Sequence, residues 1–493
     1  MLAPSLLSGR GLKGIRLTFS FGSISWLLLL LFESLYRRKL QRPPTCRSSL
    51  SPVSRHILPS IMKPTILTLT TLSYLFQIAT CWDYAWPDSW SGDWPLSPEE
   101  SSSQDCVIST IDAYDMEKDR TKPMFFSTDP LDDPESPKIL PLNSTGGEQW
   151  EFDGVSEDGL LAFCIGFYRD PNYAVLGAGN LRLSAEFSRI GGGQRFVRVD
   201  YPTLSTVESC PWGTRGVWRH PEQGYSYTFE VTKDLKRARI GVDTPDLKGS
   251  LVMKSLMPAH YPGGATVPSE HATTETVPYF HWVEPIPVAD VKVDMLMEGQ
   301  PYQWSGGLGG HERLWTAFSW FTCLHQMTAI RVRTGPYTAT HVSFTSPSTS
   351  KWGTVYKPTT VLAKDGEVIL ATSHEEESDS QDYAQLTKTY GGRVSGNLKD
   401  KVTGFELVMV SPQNKKQWSF SITNEALGFE FMLGEGVGGT GFSGKAVGGS
   451  IGLKQYFGPA FAETLEFPKR SYLFKPNYVD PLKTPKQSEK EEL

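Results

Sequence analysis

Gly309-Gly310-His311-Glu312-Arg313-Leu314-Trp315-Thr316-Ala317-Phe318-Ser319-Trp320 sets two indoles, a His-Glu-Arg triplet and a serine close together, directly after a glycine-rich run from Gly306. Glycine lets the backbone turn sharply or approach another group closely. Indole offers a broad apolar face with one N–H donor. On composition alone the stretch also fits a hinge between two β-domains whose tryptophans are core. A second cluster far upstream, Gln149-Trp150-Glu151-Phe152-Asp153-Gly154, argues against a simple hinge.

Between and beyond these clusters, short runs alternate with period two. Tyr225, Tyr227, Phe229 and Val231 alternate with Ser226, Thr228 and Glu230; Val291, Val293 and Met295 with Lys292 and Asp294. Ile330 and Val332 alternate with Arg331 and Arg333; Trp418, Phe420 and Ile422 with Ser419 and Ser421. Such alternation buries one face and wets the other, as in antiparallel sheets. Asp365-Gly366 and Tyr390-Gly391-Gly392 are turn signals between runs. No long helical period competes. The fold class is therefore mainly β, in sandwiches or barrels.

The chain of 493 residues is too long for one small core, so two domains plus tails are expected. The net charge of −6, with no basic block in the body of the chain, argues against nucleic acid as a partner. Nothing in the sequence implies a stable protein partner. Gln300–Gly310 reads as the break between an N-terminal β-domain, 147–305, and a C-terminal one, 306–475. Residues 82–146 read as an irregular segment, and 476–493, rich in Lys, Glu and Pro, as a disordered tail.

Two apolar stretches precede the body of the chain. Met62-Lys63, the apolar run Ile66–Thr80 and the small residues Ala79 and Cys81 read as a secretory signal peptide at 62–81. Met62 is then the functional start and 1–61 an upstream extension. If 17–36 is retained, that stretch is instead a membrane anchor, although short for a span. The chain after the signal carries Cys106, Cys164, Cys210 and Cys323, enough for two disulfides whose pairing the sequence leaves open. Asn143-Ser144-Thr145 is a glycosylation sequon, and with the signal it predicts the secretory pathway or secretion.

Cofactor motifs fail one by one. The cysteines are isolated and the nine histidines lack paired ligand spacing, so no metal site is expected. Gly434–Gly439 matches GxGxxG without a helix-forming segment behind it. Gly439–Lys445 matches most of a phosphate loop, but Ala446 stands where a hydroxyl should hold magnesium. Both read as glycine-rich strand edges, and no cofactor is expected.

An ordered series of motifs remains: Trp150-Glu151-Phe152-Asp153-Gly154, Gly216-Val217-Trp218, Glu284-Pro285-Ile286 with Val291, Gly309-Gly310-x-Glu312-Arg313-x-Trp315 ending in Ser319-Trp320, Thr334-Gly335-Pro336-Tyr337, and Thr440-Gly441-Phe442 followed by Gly448-Gly449. In this series the chain from about Trp150 to Phe474 resembles the lipocalin-like fungal Diels–Alderases, pericyclases that form decalins and related rings. The carotenoid hydratases share that architecture. The resemblance implies two lipocalin-like β-domains packed side by side, a β-sandwich and a β-barrel, with a substrate pocket between them. By position it implies Glu151, Asn180 and Lys445 as catalytic residues, and Asp153, Trp282, Trp320 and Phe429 as substrate-binding residues. Trp282 stands where tyrosine is common. Glu151 and Asp153, two apart on one strand, share a face; that face is either the pocket or a solvated rim.

The expected reaction is an intramolecular [4+2] cyclisation of a polyene polyketide–amino-acid hybrid. It needs no nucleophile, metal or redox centre, only a flexible chain folded into one reactive conformer. A hydrogen bond from Lys445 or Asn180 would polarise the dienophile's carbonyl. Two other readings stay open: a lipocalin-like carrier of a hydrophobic metabolite, and a hydratase-like or hetero-Diels–Alder enzyme on a terpenoid.

Overall fold

The computed structural model describes residues 105–114, 124–142, 146–171, 179–188, 195–347, 353–391, 398 and 402–468. The extension 1–61, the signal 62–81, the anchor 17–36, Asn143 and the tail 476–493 lie outside the described residues. Among the described residues no helix is long and apolar enough to cross a membrane.

The architecture is mainly β: a curled sheet whose main path holds 12 strands, beside a nearly closed 9-stranded barrel. Along the first sheet, neighbouring strands are Val107–Asp112, Leu204–Cys210, Gly213–His220, Tyr225–Thr232, Arg237–Asp243, Leu247–Ser255, Phe280–Met297, Gln300–Thr316, Gly147–Val155, Ala162–Arg169, Leu181–Phe187 and Phe196–Asp200. The barrel order is Glu367–Thr372, Tyr356–Lys364, Tyr337–Thr345, Gln326–Thr334, Tyr456–Glu466, Val437–Ser450, Lys416–Gly434, Gly404–Ser411 and Tyr383–Thr389. Every neighbouring pair in both sheets is antiparallel. Asp365-Gly366 closes a two-residue hairpin with both residues at positive φ, 52° and 86°.

The expected break at Gln300–Gly310 is instead an unbroken strand inside the first sheet. It lies between Phe280–Met297 and Gly147–Val155. Gly306, at φ 80°, sits at a bulge where the register shifts, whereas Gly309 serves close approach: a Cβ there would meet Val291 at 2.4 Å and the Asp153 carbonyl oxygen at 2.7 Å. The chain crosses to the barrel only after Thr316, through the short helix Trp320–Cys323.

The segment read as irregular, 82–146, also contributes structure. Val107–Asp112 is an edge strand of the first sheet, tied at its base by a Cys106–Cys210 disulfide. Cys164 and Cys323 are buried free thiols, so two of the four cysteines pair. Residues 124–142 form a strap across the first sheet. Trp315 Nε1 donates to the Ser127 carbonyl at 2.9 Å, Trp150 Nε1 to that of Glu135 at 3.2 Å, and Arg313 Nε to that of Pro134 at 3.0 Å.

Apolar side chains fill three places. Trp150, Phe152, Phe167, Trp218 and Phe229 form an aromatic core on one face of the first sheet, and Ile330, Leu407, Phe420 and Phe442 belong to the barrel's core. Trp282, Leu314, Trp320, Met327 and Phe344 join the two sheets. Each such fully buried side chain contributes roughly 1.5–3 kcal/mol of transfer free energy.

Candidate active site

Period-two geometry divides the Gly309–Trp320 motif between two faces. His311, Arg313 and Trp315 turn toward the strap, where Arg313 lies 3.6 Å over the Trp150 ring and 3.2 Å from Glu148. Gly310, Glu312 and Leu314 face the barrel. The facing strand divides in the same way. Trp150 and Phe152 enter the aromatic core, while Glu151 and Asp153 face the barrel, 7% and 1% exposed. The shared face of Glu151 and Asp153 is therefore buried, not a solvated rim.

Arg331, from the barrel strand Gln326–Thr334, reaches into this acidic face. A Cβ on Gly310 would sit 2.0 Å from its Nε, so glycine is what lets the guanidinium enter. Nη1 contacts Asp153 Oδ2 at 2.6 Å, Nη2 lies 3.0 Å from Glu284 Oε1 and 3.7 Å from Glu312 Oε2, and Nε donates to the Pro287 carbonyl at 3.0 Å. The Nη2 approaches lack hydrogen-bond geometry and act through charge alone. Glu284 has a second partner, His260 Nε2, at 3.0 Å. Burial opposes the Arg331 charge, but Asp153, Glu284 and Glu312 outweigh it and hold the guanidinium charged.

Glu151, Glu312 and Glu463 converge beside this arginine, each offering an oxygen within 4.8 Å of the others. One cation already shared with Asp153 and Glu284 cannot keep all three ionised when burial removes most of their water. Burial first, then Glu312 and Asp153, push Glu151 up to about 8. Burial also pushes Asp153 to about 7 against the pull of Arg331, raises Glu312, and with Glu151 lifts Glu463 well above its ordinary value. The cluster therefore holds protons more tightly than free carboxylates do, and Glu151, which faces the cavity, is a carboxyl that can donate a hydrogen bond in its protonated form. Gln149 Nε2 donates to its Oε2 at 3.1 Å, and Cys164 Sγ lies 3.6 Å from Oε1. The same three glutamates are the described group that could hold an oxygen-ligated cation. Trp282 Nε1, donating to Glu312 Oε2 at 3.2 Å, and Arg331 already satisfy one member.

Glu151 and Glu463 open onto a cavity, continuous with solvent, between the first sheet and the barrel. Phe280, Leu314, Trp320, Met327, Phe429 and Leu465 form apolar walls. Gln149, Tyr168, Asp170, Arg182, Ser184 and Glu186 supply the polar wall, where Arg182 lies 3.9 Å over the Tyr168 ring.

Of the residues expected from sequence, the structure brings Glu151, Trp320 and Phe429 to this cavity. Asp153 lies behind Glu151 as the Arg331 counter-ion. Trp282 is fully buried, its N–H taken by Glu312, and packs in the layer behind Phe280 and Trp320. Asn180 is buried just before the Leu181–Phe187 strand. Its backbone bonds to Asp170 and Ala113, and it does not line the cavity, although Asp170 and Arg182 beside it do. Lys445 is exposed and also outside the cavity lining. Its strand turns Gly441, Ser443 and Lys445 to the outside of the barrel, and Lys445 lies beyond the part the first sheet covers, next to Gly159.

Sequence reading missed Arg331, Glu312 and Glu463. Glu463 stands between Phe461 and Leu465 on a buried face, and a carboxylate in that row is the signal that could have found it.

Residues 103–468 match the sequence family described as Diels-Alderase-like. The Diels-Alderase cheD of Chaetomium globosum is 70% identical over 406 residues, 82% of this chain and 94% of its own length. The Diels-Alderase ffsF of Aspergillus flavipes is 50% identical over 414 residues, 84% of this chain and 98% of its own. The crystal structure of CghA with Sch210972 matches with a TM-score of 0.57 at 22% identity, covering 74% of this chain and 99% of that one, which is a likeness of fold.

Proposed function

The chain belongs to the Diels-Alderase-like family and is a Diels-Alderase of fungal secondary metabolism, and from that premise we propose that it closes a linear polyene joined to an amino-acid-derived head group by a stereoselective intramolecular [4+2] reaction. One observation carries this reading: a single cavity has aromatic and aliphatic walls on one side and a buried carboxyl group, Glu151, on another.

The polyene folds against Phe280, Trp320, Met327, Phe429 and Leu465, which exclude conformers leading to the wrong face. Holding diene and dienophile together removes entropy that would otherwise be lost on the way to the transition state. Glu151, in place of Lys445 or Asn180, donates its proton in a hydrogen bond to the carbonyl conjugated with the dienophile. Electron density moves toward that oxygen as the two C–C bonds form, so the bond strengthens in the transition state. The polar wall from Gln149 to Glu186 receives the head group. Each step uses only side chains of this chain.

The test is to incubate the purified protein with an acyclic polyene acylated onto a lactam and resolve the products. Accelerated formation of one diastereomer is expected. Binding without turnover would make the protein a carrier, and uptake of label from ¹⁸O-water a hydratase; either would overturn the reading. Trp320→Ala should lower both rate and diastereomer ratio, since a large wall is lost. We likewise propose a secretory route, supported by the Cys106–Cys210 disulfide, which suits an oxidising compartment. Intact mass of native protein, with a start near Trp82 and a glycan on Asn143 expected, checks it.

A further inference from the structure

His311 lies on the far side of the sheet from the cavity, yet it contacts the residue that carries the proposed proton. Its Nδ1 lies 2.8 Å from the backbone carbonyl oxygen of Glu151, and its Nε2 lies 3.0 and 3.1 Å from the two carboxyl oxygens of Glu135. The ring stacks on Phe152 at a centroid distance of 4.0 Å and an interplanar angle of 8°. His311 is 0% and Glu135 1% exposed.

The protonation pattern of this triad is restricted by its atoms. A carbonyl oxygen can only accept, so Nδ1 carries a hydrogen. Nε2 then either donates to an ionised Glu135 or accepts from a protonated one. Both arrangements use both ring nitrogens and fix the ring in one orientation. Glu135 is itself held by the strap, since its carbonyl accepts from Trp150 Nε1 at 3.2 Å while Arg313 binds the carbonyls on either side, Pro134 at 3.0 Å and Ser136 at 3.2 Å.

We infer that Glu135 and His311 are positioning residues for the reaction: they pin the Glu151 backbone from behind, so that its carboxyl group presents to the cavity in one orientation. The inference rests on Glu151 as the hydrogen-bond donor. It goes beyond the family motif, in which the position of His311 is the open one between Gly310 and Glu312. The geometry also gives the strap a part in the reaction, although 124–142 supplies no lining residue of the cavity. A donor whose direction is loose binds ground state and transition state alike, and the cost falls on turnover rather than on affinity.

The test compares four proteins in steady-state cyclisation of the acylated lactam polyene, each below its own unfolding temperature as followed by circular dichroism. His311→Phe keeps the stack on Phe152 and loses both hydrogen bonds. Glu135→Ala frees the ring. Glu135→Gln rescues the geometry, because its amide can donate to Nε2 while Nδ1–H stays on the Glu151 carbonyl. His311→Phe and Glu135→Ala should lose on the order of tenfold in kcat with KM held within about twofold. Glu135→Gln should stay within about twofold of the unaltered protein. If the folded His311→Phe and Glu135→Ala proteins keep kcat, or lose KM and kcat together, the pair is structural only and the inference fails. Glu151→Gln, measured alongside, tests the donor reading separately: retention of full kcat and of its pH dependence there overturns the donor, not the coupling of the pair to the sheet.

Discussion

At Glu151 the decisive quantity is the proton. Its ordinary value of 4.5 rises to about 8 through burial and the neighbouring Glu312 and Asp153. Between those two values the folded chain keeps a proton that the unfolded chain releases, so this group's contribution to stability is full below pH 4.5 and is lost as pH rises through about 8. Cyclisation should fall over the same alkaline range, as the neutral donor becomes an acceptor. Glu151→Gln keeps a neutral N–H donor without a titration, so its rate should be lower near neutrality but flat through pH 9. Rate profiles of the two proteins, with urea melts across the same range, check both statements; parallel alkaline falls would remove Glu151 from the chemistry. Sequence alone marked Glu151 as a residue of interest. Its protonation could not be read there, because burial and Glu312, which lies on a strand distant in the chain and paired only in the fold, weigh most in setting it.

Among elements, the hairpin of Lys416–Gly434 and Val437–Ser450 shapes the cavity most directly. Of its glycines, which in the sequence resemble nucleotide-binding loops, Gly439 and Gly441 are seats for aromatic rings, while Gly434 and Gly436 make the turn at positive φ. A Cβ on Gly441 would lie 2.2 Å from Phe429 Cε1, and one on Gly439 2.4 Å from Phe431 Cζ. Phe429 and Phe431 stack at 6.0 Å and both line the cavity. Gly441→Ala should push the Phe429 ring inward, change the diastereomer ratio, and cost about 1–3 kcal/mol by overpacking. Product chromatography and a denaturant midpoint read the two effects; an unchanged ratio would mean that the ring moves elsewhere. Elements of this kind were largely legible. The alternation of Tyr225–Thr232 and of Trp418–Ile422 is the alternation of the strands, and Asp365-Gly366 is the hairpin turn it resembles. The same rule failed at Arg331, which alternates with Ile330 and Val332 and so reads as wet, yet is 1% exposed. Period two assigns a face, not what covers it. Lys445 is the converse case: it shares a face with Gly441, but the covering sheet ends before it. Glycine was ambiguous too, since the Gly306–Gly310 run signals close approach as readily as a turn.

For the whole molecule, Arg331 is a fully buried charge that joins barrel to sheet, with the half-exposed Arg333–Asp290 pair at 3.0 Å beside it. Arg331→Met keeps the bulk and leaves Asp153, Glu284 and Glu312 facing one another without a cation. Breaking a buried pair from one side costs about 3–5 kcal/mol. The loss should be partly regained on acidification, because Asp153 and Glu312 then take up protons. Guanidinium melts at pH 5 and pH 8 measure it; an equal deficit at both would place the cost in packing instead. This joint also governs recombination between relatives. A barrel half grafted onto another protein's sheet carries its arginine with it, while the carboxylates and the glycine that receive it stay behind. Chimaeras cut between the halves should therefore fold only when donor and recipient agree at these few positions. Libraries meant to diversify ring products would do better to leave the crossing intact and exchange the hairpin that frames the opening.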